Sequence, residues 1–187
     1  IARNAQANST LGGGRVLDAN APDRKRRSTS RLAWLTAVAQ MLDGADLRPV
    51  LEQTPLGMDE QTVQRLTGRS WADQDAPDGA LWMATRQASR VLILQHHWDT
   101  LCERLAHALT EFHAHSPDEP GVDAGRLRRI AMPTISDTLW RVLLETLQAQ
   151  GRMVRNGPWL HRPEHSAVLD AKEQHQAEQC LAAIHEG

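Results

Sequence analysis

Three kinds of side chain in this 187-residue sequence could carry chemistry: clustered histidines, a glycine run and runs of arginine. The histidines stand as His96-His97, His113-x-His115 and His161-x-x-x-His165. Two histidines four apart on a helix can share a metal ion. Pro163 interrupts the last pair, however, and no Asp or Cys stands at a fixed ligand spacing nearby. Surface or capping roles are expected, and no metal site. Gly12-Gly13-Gly14 is not a phosphate loop, because that loop continues into Gly-Lys-Ser/Thr and neither lysine follows a glycine. The run reads as a sheet bulge. Cys102 falls on the apolar face of a helical pattern and is expected to be buried and inert. Cys180, beside Leu181, reads the same way. No Ser/His/Asp arrangement or carboxylate pair has a local signature. The expectation is therefore no catalytic, cofactor-binding or metal-ligating residue in this chain.

The basic residues offer binding rather than catalysis. Arg24, Lys25, Arg26, Arg27 and Arg31 against Asp23 give residues 23–31 a charge of +4. Such a run is either a solvated linker or a phosphate-contacting patch. Arg126, Arg128 and Arg129 form a second basic group. These eight residues are the candidate nucleic-acid contacts. The whole chain carries −2, which excludes a uniformly basic, polyanion-coating protein. Hydrophobic residues make up 41%, enough for packed cores, in runs too short to span a membrane. Two cysteines make neither a disulfide framework nor a Cys-rich zinc site, so a reduced, cytoplasmic setting is expected. No signal peptide is visible, and with Ile1 in place of Met both ends read as cut edges.

The elements that must hold these groups follow from periodicity. Residues 1–20 read as extended: one or two strands that need a sheet from elsewhere. Residues 21–27 are a basic linker. Ser28-Thr29-Ser30 offers N-caps for a helix with Leu32, Leu35, Val38, Ala39 and Leu42 on one face, ending near Gly44. A short helix over Leu47–Gln53 tolerates Pro49 in its first turn. Met58–Thr67 reads as helical, stopped by Gly68. Residues 69–80 suggest a loop, and Leu81–Ala84 with Val91–Leu94 a hairpin. Trp98, Leu101, Cys102, Leu105, Leu109 and Phe112 mark one helix face. A short helix over Asp123–Ala131 stops before Pro133. Thr134 and Asp137 resemble a capping box for the helix at 135–149, which Gly151 closes. Met153–Arg155 and Trp159–His161 flank Asn156-Gly157, a strong hairpin signal. A last helix is expected over Val168–Ile184.

Helix, helix, helix, hairpin is the order of a winged helix, and about 65 residues suit one. The pattern repeats at an offset of 64. Gly57-Met58-Asp59 matches Gly121-Val122-Asp123, while Val63, Arg65 and Leu66 match Leu127, Arg129 and Ile130. Trp34 falls on Trp98 and Met41 on Leu105. The fold class is therefore mainly α with short β hairpins, built as tandem winged-helix modules after orphan strands of a truncated β-barrel. The modules are 28–95 and 96–163, and 164–187 starts a third. Residues 69–89 leave the first module's third helix open.

Thr10-Leu11-Gly12-Gly13-Gly14-Arg15-Val16-Leu17-Asp18 resembles the closing strands of the third domain in elongation-factor-Tu-type proteins. Asp118-Glu119-Pro120-Gly121, Arg126-Leu127-Arg128-Arg129, Pro133, Gly151 and Gly157-x-Trp159-Leu160-His161-x-Pro163-x-His165 resemble the selenocysteine-specific elongation factor (SelB) family. The resemblance implies a GTPase body followed by four winged helices, with residues 1–20 closing the body's third domain. It implies protein biosynthesis by recoding: selenocysteine incorporation at UGA codons, with the ribosome, selenocysteyl-tRNA and an mRNA hairpin as partners of the full-length, monomeric protein. GTP and magnesium would belong to the missing body. In the family mRNA reading falls mainly to the last modules.

Charge refines this. The expected recognition helix at 135–149 carries Asp137, Arg141 and Glu145, a poor groove reader. These modules then act as an arm joining body to tip, with non-specific RNA contact at most. The alternative is a DNA-binding winged-helix transcriptional regulator, which would need a basic recognition helix. A purely structural interaction module is a third reading.

Overall fold

A computed structural model describes residues 2–3, 10–44, 46–72, 74–84 and 90–167. The expected helix at Val168–Ile184 and Cys180 lie outside them. Two short strands open the chain, β1 (Ala2–Arg3) and β2 (Thr10–Gly12), paired antiparallel. Then follow α1 (Thr29–Gly44), α2 (Arg48–Glu52), β3 (Met58–Asp59), α3 (Glu60–Thr67), β4 (Ala80–Ala84) and β5 (Arg90–Leu94). The second half runs α4 (Gln95–His115), β6 (Val122–Asp123), α5 (Ala124–Ala131), α6 (Asp137–Ala149), β7 (Val154–Asn156) and β8 (Trp159–His161). Each half closes with a three-stranded sheet, ordered β3-β5-β4 and β6-β8-β7. The described residues divide into two compact units. One runs to Leu81 and takes in Leu92–Leu94; the other holds Trp82–Val91 and the residues from Gln95 on.

In the first unit α1 and α2 pack together, burying Ala37, Val38 and Met41 of α1 and Val50 and Leu51 of α2. Ser28 caps α1, its hydroxyl accepting from Arg31 N–H at 3.3 Å. Leu32 and Leu42, expected inward, are exposed by 51% and 42%. The buried stripe, Ala37, Val38 and Met41, runs beside the expected one and shares Val38 with it. Met58 and Asp59, expected in the first helical turn, form a strand instead. Asp59 is extended (ψ 152°) and its carboxylate accepts from Thr62 N–H at 2.9 Å, so α3 starts at Glu60, two residues later than expected. Gly68 ends α3 in the left-handed region at φ 69°. Beyond it the described residues up to β4 form no helix. Trp71 anchors that loop, buried to 4% exposure, with its indole N–H on Thr67 Oγ1 at 2.9 Å.

The second unit has the full winged-helix order. Its core gathers Leu105, Leu109, Val122, Leu127, Leu139, Leu143, Leu147 and Leu160. The expected α4 face is the buried one. Asp123 caps α5, accepting from Arg126 N–H at 2.9 Å. The capping box at Thr134 and Asp137 does not form. Ser136 is the N-cap of α6, its hydroxyl accepting from Leu139 N–H at 3.2 Å, and α6 begins at Asp137. Gly151 (φ 67°) turns the chain out of α6, and Arg152 N–H reaches back to Leu147 carbonyl at 2.9 Å. The wing turns on Gly157-Pro158, not Asn156-Gly157, because Asn156 pairs with Trp159 across a two-residue loop. Gly157 at φ 58° supplies the positive φ at the first central position.

The 64-residue period holds in three dimensions. β3 and α3 fall on β6 and α5 residue for residue, and Asp59 and Asp123 make the same cap. Val63 and Leu127 are both fully buried, as are Met41 and Leu105 to within a few per cent. The halves differ where α6 stands in the second and the Trp71 loop in the first.

Candidate nucleic-acid interface

The basic run lies in the turns between β2 and α1. Lys25 has a left-handed backbone at φ 57° and its carbonyl accepts from Ser28 N–H at 3.1 Å, which brings the chain into α1. Arg24, Lys25 and Arg27 are exposed, with no ion pair among the described residues. Arg26 spends its Nε–H on Pro22 carbonyl at 3.0 Å and lies 3.8 Å from Asp23. Arg31 is used differently. It pairs with Asp18, and its guanidinium lies 4.6 Å from the centre of the Trp34 ring. The Arg31 hydrogen bond holds the Asp18 carboxyl below its ordinary range, against the opposing effect of burial. A groove floored by Leu17, Trp34 and Leu66 adjoins this pair, and Arg15 meets Asp43 of α1 at 3.0 Å. Arg15 and Asp18 are thus tied to α1 by two ion pairs, and Arg24, Lys25 and Arg27 between them and α1 have none among the described residues.

On α5 the three arginines part company. Arg126 pairs with Glu119 at 3.2 Å and covers the Phe112 ring at 4.8 Å. Arg128 staples α5 to the start of α6, donating to Asp137 and to Ile135 carbonyl, both at 2.5 Å. Only Arg129 of this group is exposed without an ion pair among the described residues. Its counterpart one period earlier, Arg65, is also exposed and donates to Thr62 Oγ1 at 2.8 Å. Four of the eight sequence candidates therefore present unpaired cations: Arg24, Lys25, Arg27 and Arg129.

α6 presents no basic face. Leu139, Trp140, Val142, Leu143, Leu144 and Leu147 are buried, leaving Asp137, Arg141 and Glu145 as the exposed charged stripe. Positive charge gathers on the wing instead, which sequence reasoning passed over by tallying helices. Residues 146–163 hold Arg152, Arg155 and Arg162 and no carboxylate. That charge tally was the available signal. Trp159, 37% exposed, stands among them.

Sequence spacing also could not show the histidine arrangement at the exit of the wing. His113 and His165 stack with ring centres 3.6 Å apart, and His161 lies 6.4 Å from His165. Arg162 N–H donates to His113 Nε2 at 3.3 Å, and His165 Nε2–H donates to Glu119 carbonyl at 2.9 Å. Burial, then the neighbouring His165, His161 and Arg162, push the His113 imidazole down to about 4. It is neutral at pH 7 and structural. Cys102 is buried, and burial pushes its thiol up. No described helix is long and apolar enough to cross a membrane.

Comparison with known proteins extends this. The family model described as "Elongation factor SelB, winged helix", for the second such domain, matches residues 106–161. The selenocysteine-specific elongation factor of Escherichia coli (strain K12) is 28% identical over 179 residues, covering 93% of this chain. That of Haemophilus influenzae (strain ATCC 51907 / DSM 11121 / KW20 / Rd) is 25% identical over 180 residues, covering 92%. The chain spans 28% of the length of each. Residues 106–161 thus match a SelB winged helix, and along nearly its whole length the chain is similar to selenocysteine-specific elongation factors.

Proposed function

We propose that this chain is the arm of a selenocysteine-specific elongation factor. It joins a GTPase and tRNA-binding body to modules that read an mRNA hairpin after a UGA codon. The partners on this reading are the ribosome, selenocysteyl-tRNA and mRNA, in the cytoplasm. GTP and magnesium belong to the body, and this segment contributes spacing and contact, not chemistry. One observation carries the reading: α6, where a winged helix would read a groove, exposes Asp137, Arg141 and Glu145. A DNA-binding regulator needs the opposite charge there, and the similarity to elongation factors does not favour it. Arg24, Lys25 and Arg27 supply a phosphate contact beside the first unit, without base readout.

Fluorescence anisotropy with three RNAs over a salt series tests this: a hairpin following UGA, selenocysteine tRNA and an unrelated duplex. The expected result is weak, equal binding that fades with salt. Replacing Arg24, Lys25 and Arg27 by Ala should reduce the slope of log K against log salt by about two. Tight, salt-resistant preference for the hairpin would make these modules mRNA readers and overturn the arm reading.

A further inference from the structure

We propose that the exit of the second unit's wing is a histidine clasp, in which His113 and His165 are positioning residues that fix the direction in which the chain goes on past Ala167. This rests on the arm reading above and adds a joint to it, because an arm that sets a spacing needs a defined exit as well as a packed core.

Arg162 is the residue being held. It follows β8 directly and precedes Pro163, whose ring biases it to extended backbone. Its N–H donates to His113 Nε2 at 3.3 Å, and its carbonyl accepts from His161 Nδ1–H at 2.9 Å and from His165 N–H at 3.0 Å. Its guanidinium donates to Thr110 Oγ1 at 3.3 Å and meets Glu164 at 3.3 Å. His113 and Thr110 stand in the last turns of α4. His165 closes the clasp. Its ring lies on that of His113, with centres 3.6 Å apart and planes 16° from parallel, and its Nε2–H donates to Glu119 carbonyl at 2.9 Å. Glu119 is itself fixed, because its carboxylate meets Arg126 of α5 at 3.2 Å. The exit is thus joined to α4, to the turn before β6 and, through Glu119, to α5.

These hydrogen bonds assign the protons. His113 Nε2 accepts, so the proton of its neutral ring is on Nδ1; His165 Nε2 donates, so its Nδ1 is bare. His113 Nδ1 is buried and meets no hydrogen-bond partner among the described residues. An unpaired buried N–H costs stability. A phenyl ring would fill the same space without that cost. What the imidazole adds in return is an acceptor for the Arg162 N–H. A linker that only tethers needs neither that acceptor nor the stacked ring that covers it.

The test uses the full chain, labelled with nitrogen-15, at pH 7. Long-range proton–nitrogen correlations should show His113 protonated at Nδ1 and His165 at Nε2. Amide exchange at Arg162 and His165 should be slow relative to an open chain. His113→Phe keeps a flat ring under His165 and removes the acceptor. It should speed exchange at both amides about tenfold, with α4 to α6 within twofold of the native chain. His113→Gln, whose side-chain carbonyl can take the Arg162 N–H, should recover most of the protection. The tautomers are measured on the native chain, so they test the clasp even if His113→Phe unfolds the unit. His113 protonated at Nε2, or Arg162 exchange within twofold of native in His113→Phe, overturns the clasp. RNA binding by these variants should equal that of the native chain. Tight hairpin preference would overturn the arm reading, while the tautomers and exchange rates still decide the clasp.

Discussion

His113 shows at one residue how burial becomes a pH dependence. Its ring is stacked on His165, approached by His161 and hydrogen-bonded by Arg162, with the Glu119 carboxylate committed to Arg126 and that of Glu164 to Arg162. The folded value of about 4 lies below the ordinary 6.5. Between these values the unfolded chain binds a proton that the folded chain refuses, so stability rises with pH in that window. The contribution is full above pH 6.5 and gone below about 4. Melting temperatures followed from pH 7.5 to 4 should fall through this window, and His113→Asn should flatten the fall. An unchanged slope in the variant would place the pH sensitivity elsewhere. Asp59 and Asp123 give a second prediction. Either one changed to Ala should cost about 1 kcal/mol in urea unfolding, and both together about 2, as the sites share no partner. Gly121→Ala should cost about 3 kcal/mol, from a Cβ pressed on Leu160 carbonyl and a disfavoured backbone. Gly151→Ala, with open space around it, should cost about 1.

At the scale of elements, the third-helix position separates the two halves. Trp71→Ala removes the anchor of the loop that stands there in the first. It should destabilise that unit by about 3 kcal/mol while leaving the amide exchange of α4 to α6 unchanged. Where a single apolar stripe ran along a helix, as in α4, sequence periodicity gave the buried face directly. Where two stripes ran side by side, as in α1, it chose Leu32 and Leu42, because periodicity cannot weigh which stripe a neighbour will cover. Periodicity places Asp59 and Asp123 inside their helices, whereas both are extended caps that precede the first helical residue. At α6, Ser136 outcompeted Thr134 because it immediately precedes the first helical residue. The basic candidates were found by composition, yet composition could not tell Arg24, left free, from Arg31, drawn into a pair with Asp18. The histidine stack joins residues 52 apart, so nothing local announced it.

Across the whole molecule, one supersecondary pattern occurs twice with the same cap, the same buried positions and different completions. Repetition explains how modest local signals could identify the architecture: each weak match in one register supports the others. It also allows the two copies to diverge in surface charge without losing their cores, so the first adjoins free cations before its first helix and the second carries them on its wing. The sheet of the second copy has a further consequence. β6 has its hydrogen-bonding partner in β8, some 36 residues downstream, and β8 lies between β6 and β7. During synthesis, α4, α5 and α6 are all made before the strand that closes the sheet. A chain ended after Gly157 should therefore show helical content in its second half without a cooperative thermal transition there, and adding the next few residues should restore that transition. Folding of this half waits on Trp159, Leu160 and His161, so its last strand sets the moment at which the emerging polypeptide becomes resistant to proteases.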